Sequence, residues 1–204
     1  MQELLVDFIT SLDGYGAAEG WPGFWGLHVP EYLGWLDQQP EQDYTILMGA
    51  NTYRLMYGFA AGVEGSESGE APTDEEASFI ELTNASKVVF SSTLQPPLPW
   101  ANTRLISSDA VEAVREMKQE GDSPMRTLGS VSLCRSLLKA GLVDRFRVVI
   151  FPFITGSTGT DPIYDGIPDV ALDMIASRTF DGRLQLLEYV PTVLAGAPGA
   201  THGS

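Results

Sequence analysis

The stretch Met125–Gly156 constrains the fold more than any other part of this sequence. A short apolar run is broken by Gly129 and Ser130, and leucines then recur at helical spacing as far as Gly141, which stands where a glycine often ends a helix. The segment Phe146–Phe151 that follows is typical of a buried strand. A strand, a helix and a strand joined this closely predict a right-handed parallel βαβ unit, whose first turn lies at the carboxyl end of a strand.

The rest of the chain repeats this alternation of strands and helices. Apolar runs predict four strands before the central unit, and two further strands flank Asp181-Gly182, a strong hairpin signal. These segments are Leu4–Ile9, Tyr44–Met48, Lys87–Phe90 and Thr103–Ile106, followed by Leu172–Phe180 and Arg183–Val190. Alternating elements of this kind favour an α/β fold with a mostly parallel central sheet and a C-terminal antiparallel hairpin.

The length of 204 residues is suited to one domain, which we place at residues 1–190, followed by a flexible tail over residues 191–204. The segment Phe59–Glu76 is rich in Gly, Ser and Glu and has no periodicity, so we predict a mobile acidic surface loop. At its end, Thr73 and Glu76 have the spacing of a capping box that starts the next helix.

Composition excludes several classes of partner. The net charge of −15 would repel nucleic acid and anionic membranes, so we expect neither as a partner. The single cysteine, Cys134, cannot form an internal disulfide, and no signal peptide precedes Leu4–Ile9, so we expect a cytoplasmic protein. No His/Cys cluster has the spacing of a metal site, and we expect no metal.

Four motifs, in order, closely resemble those of the dihydrofolate reductase-like superfamily. They are SLDG at 11–14, MGANTY at 48–53, VVFSSTL at 88–94 and LGSVSLCRSLLKAGLVDRFRVVIFPFITGSTG at 128–159. The branch they resemble most is the reductase domain of bacterial riboflavin biosynthesis, together with its stand-alone relatives. The resemblance spans roughly residues 1–190 and implies a dihydrofolate reductase-like three-layer fold.

The resemblance also implies a nicotinamide cofactor, usually NADPH, extended across three junctions at the carboxyl ends of strands. Phosphate contacts are expected in two of these junctions, the adenosine half near the third, and the nicotinamide beside the first strand. The residues that the resemblance assigns to the cofactor are Gly49, Asn51, Thr52, Gly129, Ser130 and Val131 for the phosphates, Ser91 and Thr93 for the adenosine, and Ser11 and Gly14 for the nicotinamide.

Two departures from the family pattern bear on the cofactor. Family members often have an arginine after Gly49 that pairs with a phosphate, whereas this chain has Ala50, and the second glycine of the Gly-Gly pair is Ser130. A neutral residue loses a charge-assisted contact of about 1.5–3 kcal/mol. Arg54 and Arg126 are candidate substitutes, and NADH is an alternative to NADPH.

Asp13 and Glu31 are the carboxylates nearest the expected pocket and are the candidate catalytic residues. Each also has an ordinary structural explanation, since Asp13 is suited to a turn and Glu31 to the first turn of a helix. The resulting hypothesis is an NADPH-dependent oxidoreductase acting on a small heterocyclic or carbonyl substrate, of the 5-amino-6-(5-phosphoribosylamino)uracil reductase type. The alternatives are a nucleotide-binding protein with little or no turnover and, less favoured, a purely structural dimer module.

The resemblance implies a homodimer as well. Arg147, Val149 and Phe151 alternate along the second strand of the central unit, and we predict that they lie near the contact between the two subunits.

Overall fold

The computed structural model describes residues 1–21, 24–64 and 73–198, and these residues form ten strands and five α-helices. Their bounds are β1 Leu4–Ser11, β2 Tyr15–Ala18, α1 Pro30–Leu36, β3 Thr45–Gly49, α2 Ala50–Glu64, α3 Asp74–Asn84, β4 Lys87–Phe90, β5 Thr103–Ile106, α4 Ala110–Glu120, β6 Met125–Thr127, α5 Val131–Lys139, β7 Arg145–Phe151, β8 Gly159–Pro162, β9 Val170–Phe180 and β10 Leu184–Val193.

Eight of the strands form one sheet in the order β5-β4-β3-β6-β1-β7-β10-β9. The six strands from β5 to β7 are parallel, and the hairpin β9–β10 pairs antiparallel with β7. The predicted central unit is confirmed, since β6 and β7 are parallel and flank β1 on either side. The carboxyl ends of β1, β3 and β6 are therefore neighbours, which is where parallel sheets bind ligands.

Helices cover both faces of the sheet and make a three-layer α/β fold, as predicted. On one face, α4 and α5 bury Val114 and Leu137 against Val6 and Val148. On the other face, α1 packs Tyr32 against β7 and β10, and α2 packs against β3 and β4. Burial of these side chains, at about 1.5–3 kcal/mol each, is the main stabilising contribution.

The dimer contact predicted on β7 is wrong, because the residues chosen for it are buried inside the chain. Val149 and Phe151 have no exposed surface and pack under α1, and Arg147 is only 1% exposed. Arg147 donates through Nη2 to Asp7 Oδ2 over 2.7 Å and lies 3.4 Å from Glu41 Oε1. A charged residue in the strand pattern indicated a surface, whereas here it is neutralised by buried carboxylates.

Two segments differ from the sequence-based boundaries. Helix α2 continues to Glu64, so the first part of the predicted loop Phe59–Glu76 is helical, and residues 65–72 lie outside the described residues. The Thr73–Glu76 capping box is confirmed. Strand β10 continues to Val193, so Pro191–Val193 pair with β9 and are not part of a tail.

A small second sheet was not predicted. Strand β2, just after the SLDG turn, pairs antiparallel with β8 in the glycine-rich segment near residue 160. In the described ranges no helix is long and apolar enough to span a membrane. The same ranges contain no group of three or more His, Cys, Asp or Glu side chains arranged to hold a metal ion.

Candidate cofactor and substrate cleft

A large cleft lies at the carboxyl ends of β1, β3 and β6, where helices α2 and α5 begin. Its volume is about 1600 Å³. Pockets for one drug-sized molecule usually measure roughly 300–1,000 Å³, so this cleft has room for a dinucleotide and a second molecule. Its polar lining includes the first residues of both helices, and its apolar lining includes Ile9, Tyr32 and Leu36.

Ser130 fastens the two strand-to-helix junctions to each other. It precedes α5 in a left-handed conformation, with φ 63°, and its side chain does not cap its own helix. Its Oγ accepts the backbone N–H of Gly49 over 2.8 Å and donates to Thr52 Oγ1 over 2.8 Å. The N-termini of α2 and α5 are thereby held side by side, an arrangement that suits an anion such as a pyrophosphate.

The six residues expected to contact the phosphates all line this cleft. They are Gly49, Asn51, Thr52, Gly129, Ser130 and Val131. Gly129 has φ 53°, and a Cβ there would lie 3.6 Å from Thr52 Oγ1. The N–H of Gly49 is already bound to Ser130, so the donors left for a phosphate are those of the following helical residues. The residues present therefore fit a dinucleotide phosphate through backbone donors.

Ser91 and Thr93, expected near the adenosine, form a turn of their own. Ser91 Oγ accepts the backbone N–H groups of Thr93 and Leu94, each over 3.1 Å. In the part of the chain that the structure describes, neither residue lines the cleft, whereas Phe90 just before them does. This strand end therefore lies at the edge of the cleft, and the hydroxyls of Ser91 and Thr93 make hydrogen bonds within the turn.

Ser11, Asp13 and Gly14 form a loop clamp beside the cleft. Asp13 accepts a hydrogen bond from Ser11 Oγ at 2.6 Å and another from the N–H of Gly156 at 2.9 Å. These bonds, that from Ser11 first, lower the pKa of Asp13 to about 2. A Cβ on Gly14 would lie 2.8 Å from the ring of Tyr164. This geometry suits an ionised carboxylate that fixes a loop rather than a proton donor.

Glu31, the other catalytic candidate, lies on the exposed start of α1. Its Oε2 accepts the N–H of Asp181 over 2.5 Å, and Asp181 Oδ1 accepts the N–H of Glu31 over 3.1 Å. The bond attaches the hairpin turn to the helix. Among the described residues that line the cleft, Glu31 and Asp13 are both absent.

Charge in the cleft is mostly negative. Among the described residues, two arginines, Arg126 and Arg135, line it together with seven carboxylates. The carboxylates are Asp7, Asp37, Asp43, Glu81, Asp109, Asp161 and Asp165. Arg54, a candidate phosphate ligand, instead donates to Asn51 Oδ1 over 3.2 Å at the surface.

Comparison with known proteins identifies the family. The family model of the RibD C-terminal domain matches residues 2–186, which is nearly the whole chain. The chain belongs to the RibD C-terminal domain family. Protein YyaP of Bacillus subtilis, itself uncharacterised, is 25% identical over 188 residues, which are 92% of this chain and 94% of YyaP.

Solved structures share the fold of this RibD C-terminal domain. A structure titled as a riboflavin biosynthesis protein of Shewanella sp. PV-4 aligns with a TM-score of 0.64 and 17% identity over 94% of this chain and 99% of its own. A pyrimidine reductase-like protein of Corynebacterium diphtheriae aligns with a TM-score of 0.61 and 16% identity, over 94% of this chain and 92% of its own. A deaminase/5-amino-6-(5-phosphoribosylamino)uracil reductase of Thermotoga maritima aligns with a TM-score of 0.62 and 17% identity. The alignment covers 94% of this chain and 57% of the Thermotoga chain.

Sequence reasoning missed that Asp7 lines the cleft of this RibD C-terminal domain. Asp7 lies in the middle of β1 and faces the cleft together with Tyr32 and Arg126. The signal was present in the sequence, since a carboxylate inside a buried strand needs a partner, and β7 carries a charge of opposite sign at Arg147. Arg126 was considered only for cofactor phosphates, although its Cα neighbours are Leu5 and Ile46 inside the sheet.

Proposed function

We propose that this protein is a nicotinamide-dependent reductase of a small heterocyclic or carbonyl substrate, of the 5-amino-6-(5-phosphoribosylamino)uracil reductase type. The observation that carries the proposal is the clasp between Ser130 and Gly49, which joins two helix N-termini in a cleft large enough for cofactor and substrate. Family membership supports the same reaction class, because the Thermotoga relative is named for this reduction.

The residues of this chain take distinct parts in such a reaction. Backbone N–H groups at the start of α2 and α5 hold the phosphates, and Thr52 is fixed against Ser130 for that purpose. Bound NADPH supplies a hydride, which is the chemistry that the protein itself lacks. Ile9, Tyr32 and Leu36 supply apolar walls against which a substrate ring would pack.

NADPH is our preferred cofactor, with NADH as the alternative. The 2′-phosphate of NADPH needs a cation, and the candidates near the junctions are Arg54 and Arg135. Among the described residues Arg135 Nε has no hydrogen-bond partner, so this guanidinium has an unused donor. Two features favour NADH, which has no 2′-phosphate. Ala50 provides no positive charge, and the seven carboxylates in the cleft repel an additional phosphate.

A nucleotide-binding protein with little or no turnover is the second candidate. It is favoured by the engagement of both expected catalytic carboxylates in structural hydrogen bonds. It is also favoured by the occupied N–H of Gly49. Such a protein would bind a dinucleotide without consuming it.

Thermal unfolding with NADPH, with NADH and without ligand tests the proposal. A ligand present at a hundred times its dissociation constant adds about 2.7 kcal/mol to stability, so binding raises the melting temperature measurably. The Gly129→Val variant is the control, because a side chain at φ 53° is strained and would stand at the turn where the phosphates are expected. A shift in the parent that is absent in this variant supports cofactor binding at the clasp. No shift with either nucleotide removes the proposal.

Turnover separates the two candidates. The reductase should consume NADPH when a panel of pyrimidines, pterins and small carbonyl compounds is added, followed through the absorbance of the reduced nicotinamide. A tight cofactor shift with no consumption across the panel favours the non-catalytic binder.

A further inference from the structure

One wall of the cleft is apolar and open to solvent. It is formed by helices α2 and α3, and the apolar side chains of these helices that line the cleft are Leu55, Met56, Phe59, Phe79 and Leu82. Leu55 and Phe59 are 48% and 47% exposed, and the ring centroids of Phe59 and Phe79 are 5.6 Å apart. Exposed apolar side chains that are gathered in a cleft, rather than scattered over a surface, indicate a binding surface. We call these five residues the α2–α3 wall.

The α2–α3 wall begins beside the expected cofactor phosphates and leads away from them. Phe59 lies two helical turns after Thr52, which is about 10 Å along the axis of α2. Helix α1 lies across from α3, because a small pocket of about 190 Å³ between these two helices shares Asp37 and Glu81 with the cleft. The wall therefore borders an arm of the cleft that extends beyond the phosphates, between α1 and α3.

The charges around this arm disfavour an anion. Arg54 is the only basic residue within α1, α2 and α3, and it is not among the described residues that line the cleft. Residues 65–72, which follow α2 in the sequence, contain two glutamates and no lysine or arginine. Asp37 and Glu81 both line the cleft. A phosphate or carboxylate here would meet like charges, with no basic side chain of these helices in the cleft to neutralise it.

We propose that the α2–α3 wall binds an uncharged apolar arm of the substrate, such as a phenyl or alkyl group. That the arm belongs to the substrate rests on the proposed reductase function, whereas the binding of an apolar group to the wall does not. The Thermotoga relative is named for a substrate with a phosphoribosyl group, which is an anionic arm. The wall is unsuited to that group, so this chain takes a different class of substrate in the same type of reaction.

Three ketones that differ only in one substituent test the wall. The probes are 4-phenylbutan-2-one, 4-oxopentanoate and butan-2-one, which carry a phenyl group, a carboxylate and a hydrogen at the same carbon. Each is titrated into the protein and followed by ligand-observed NMR. We expect the phenyl ketone to bind about 10-fold or more tightly than either of the others, because only its phenyl group loses apolar surface to the wall. Equal binding of the three ketones, or a preference for the carboxylate, overturns the proposal.

A charge introduced into the wall assigns the contact. Phe59→Lys should weaken binding of the phenyl ketone about 10-fold and strengthen binding of 4-oxopentanoate, because it replaces an apolar contact with a cation. Ile80→Lys is the matched control and should change neither, since Ile80 is 44% exposed on α3 and is not among the described residues that line the cleft. Unchanged binding of both ketones in Phe59→Lys, or an equal effect of Ile80→Lys, overturns the assignment. The ketone series in the parent keeps the proposal testable even where a variant does not fold.

Titration of the phenyl ketone with and without saturating NADPH separates this inference from the proposed function. Simultaneous binding supports a substrate arm, whereas competition means that the wall holds part of the cofactor and overturns the substrate assignment. Preferential binding of the phenyl ketone without any NADPH shift removes the reductase proposal and leaves the apolar site standing. An NADPH shift without preference for the phenyl ketone keeps the reductase proposal and overturns this inference.

Discussion

Glu31 and Asp181 cap each other across 150 positions of the chain. The carboxylate of Asp181 accepts the N–H groups of Glu31 and Tyr32 at the start of α1, and Glu31 Oε2 accepts the N–H of Asp181. Helix α1 begins at Pro30 without a capping side chain from its own N-cap residue Val29. The hairpin turn therefore supplies the cap that the local sequence lacks, and it ties β9–β10 to the helix above the substrate end of the cleft.

Removing this cap should cost stability. We expect Asp181→Gly to lose about 0.5–2 kcal/mol of unfolding free energy, the usual value of an N-cap, while glycine tolerates the positive φ of 52° at this position. Glu31→Ala should lose less unfolding free energy, because it removes one hydrogen bond whereas Asp181→Gly removes two. Urea unfolding of both variants and of the double variant measures the coupling, and strictly additive effects would contradict a reciprocal cap.

The pH dependence of stability should report Asp13. The pKa of Asp13 is lowered to about 2, so its stabilising contribution is present above the unfolded-state value near 3.8 and is lost as the pH falls from about 4 to 2. The gap in urea midpoint between the parent and Asp13→Asn should therefore be constant from pH 7 to 5 and narrow below pH 4. Ser11→Ala removes the hydrogen bond with the largest effect on the pKa of Asp13. In a Ser11→Ala background, the change of urea midpoint caused by Asp13→Asn should therefore be smaller. A difference in urea midpoint between the parent and Asp13→Asn that stays constant down to pH 3 would contradict the clamp.

Much of the fold was predictable because its determinants are local. The turn at Gly129, the end of a helix at Gly141, the capping box at Thr73 and the hairpin at Asp181-Gly182 each depend on a few neighbouring residues, and all are in the structure. Parallel strands with alternating helices then restrict the topology to a few choices.

The site was less predictable because its interactions are long-range. Ser130 and Gly49 are 81 residues apart, and Asp13 reaches Gly156 over 143. A motif indicates which residues stand at a junction, but it does not show that a serine hydroxyl already occupies one of the N–H groups. The strand pattern alone indicates a surface position for Arg147. Its carboxylate partners lie far away in the sequence, on β1 and in the segment before β3, so a local pattern does not reveal them.

Two substitutions at Ser130 separate the clasp from backbone strain. Ser130→Ala and Ser130→Gly both remove the hydroxyl that joins Gly49 to Thr52. Ser130→Ala should weaken cofactor binding, whereas Ser130→Gly, which restores the family's usual glycine pair, should hold or improve it. Glycine relieves the left-handed backbone, whereas alanine does not, so Ser130→Gly should be about 1 kcal/mol more stable than Ser130→Ala. Cofactor titration and urea unfolding measure the two effects. Ser123→Ala, in the turn before β6 and outside the cleft lining, is the control and should change neither.

The edge strand β9 is our candidate for a homodimer contact. No described strand pairs with its outer edge, and Leu172, Met174 and Ile175 on it are 44–56% exposed. Long apolar edges of this kind tend to pair with another chain. We expect a dimer by light scattering, and Ile175→Lys should shift it to the monomer. Ile80→Lys, at an equally exposed apolar position on α3, should leave the dimer intact. A monomeric parent at micromolar concentration would remove the prediction.

Arg147 should be among the residues most costly to replace. Arg147→Met removes the arginine that pairs with Asp7, whereas Glu41 keeps its ion pair with Arg145. Among the described residues it leaves Asp7 as a mostly buried carboxylate without an ion pair, which we expect to cost about 3–5 kcal/mol at pH 7. Arg115→Met is the control, since Arg115 pairs with Glu112 on the exposed surface of α4 and should cost only about 0.5 kcal/mol. Urea unfolding at pH 7 measures both variants. A loss as small as that of Arg115→Met would mean that water reaches this cluster, and the orientation of Asp7 in the cleft would then no longer depend on Arg147.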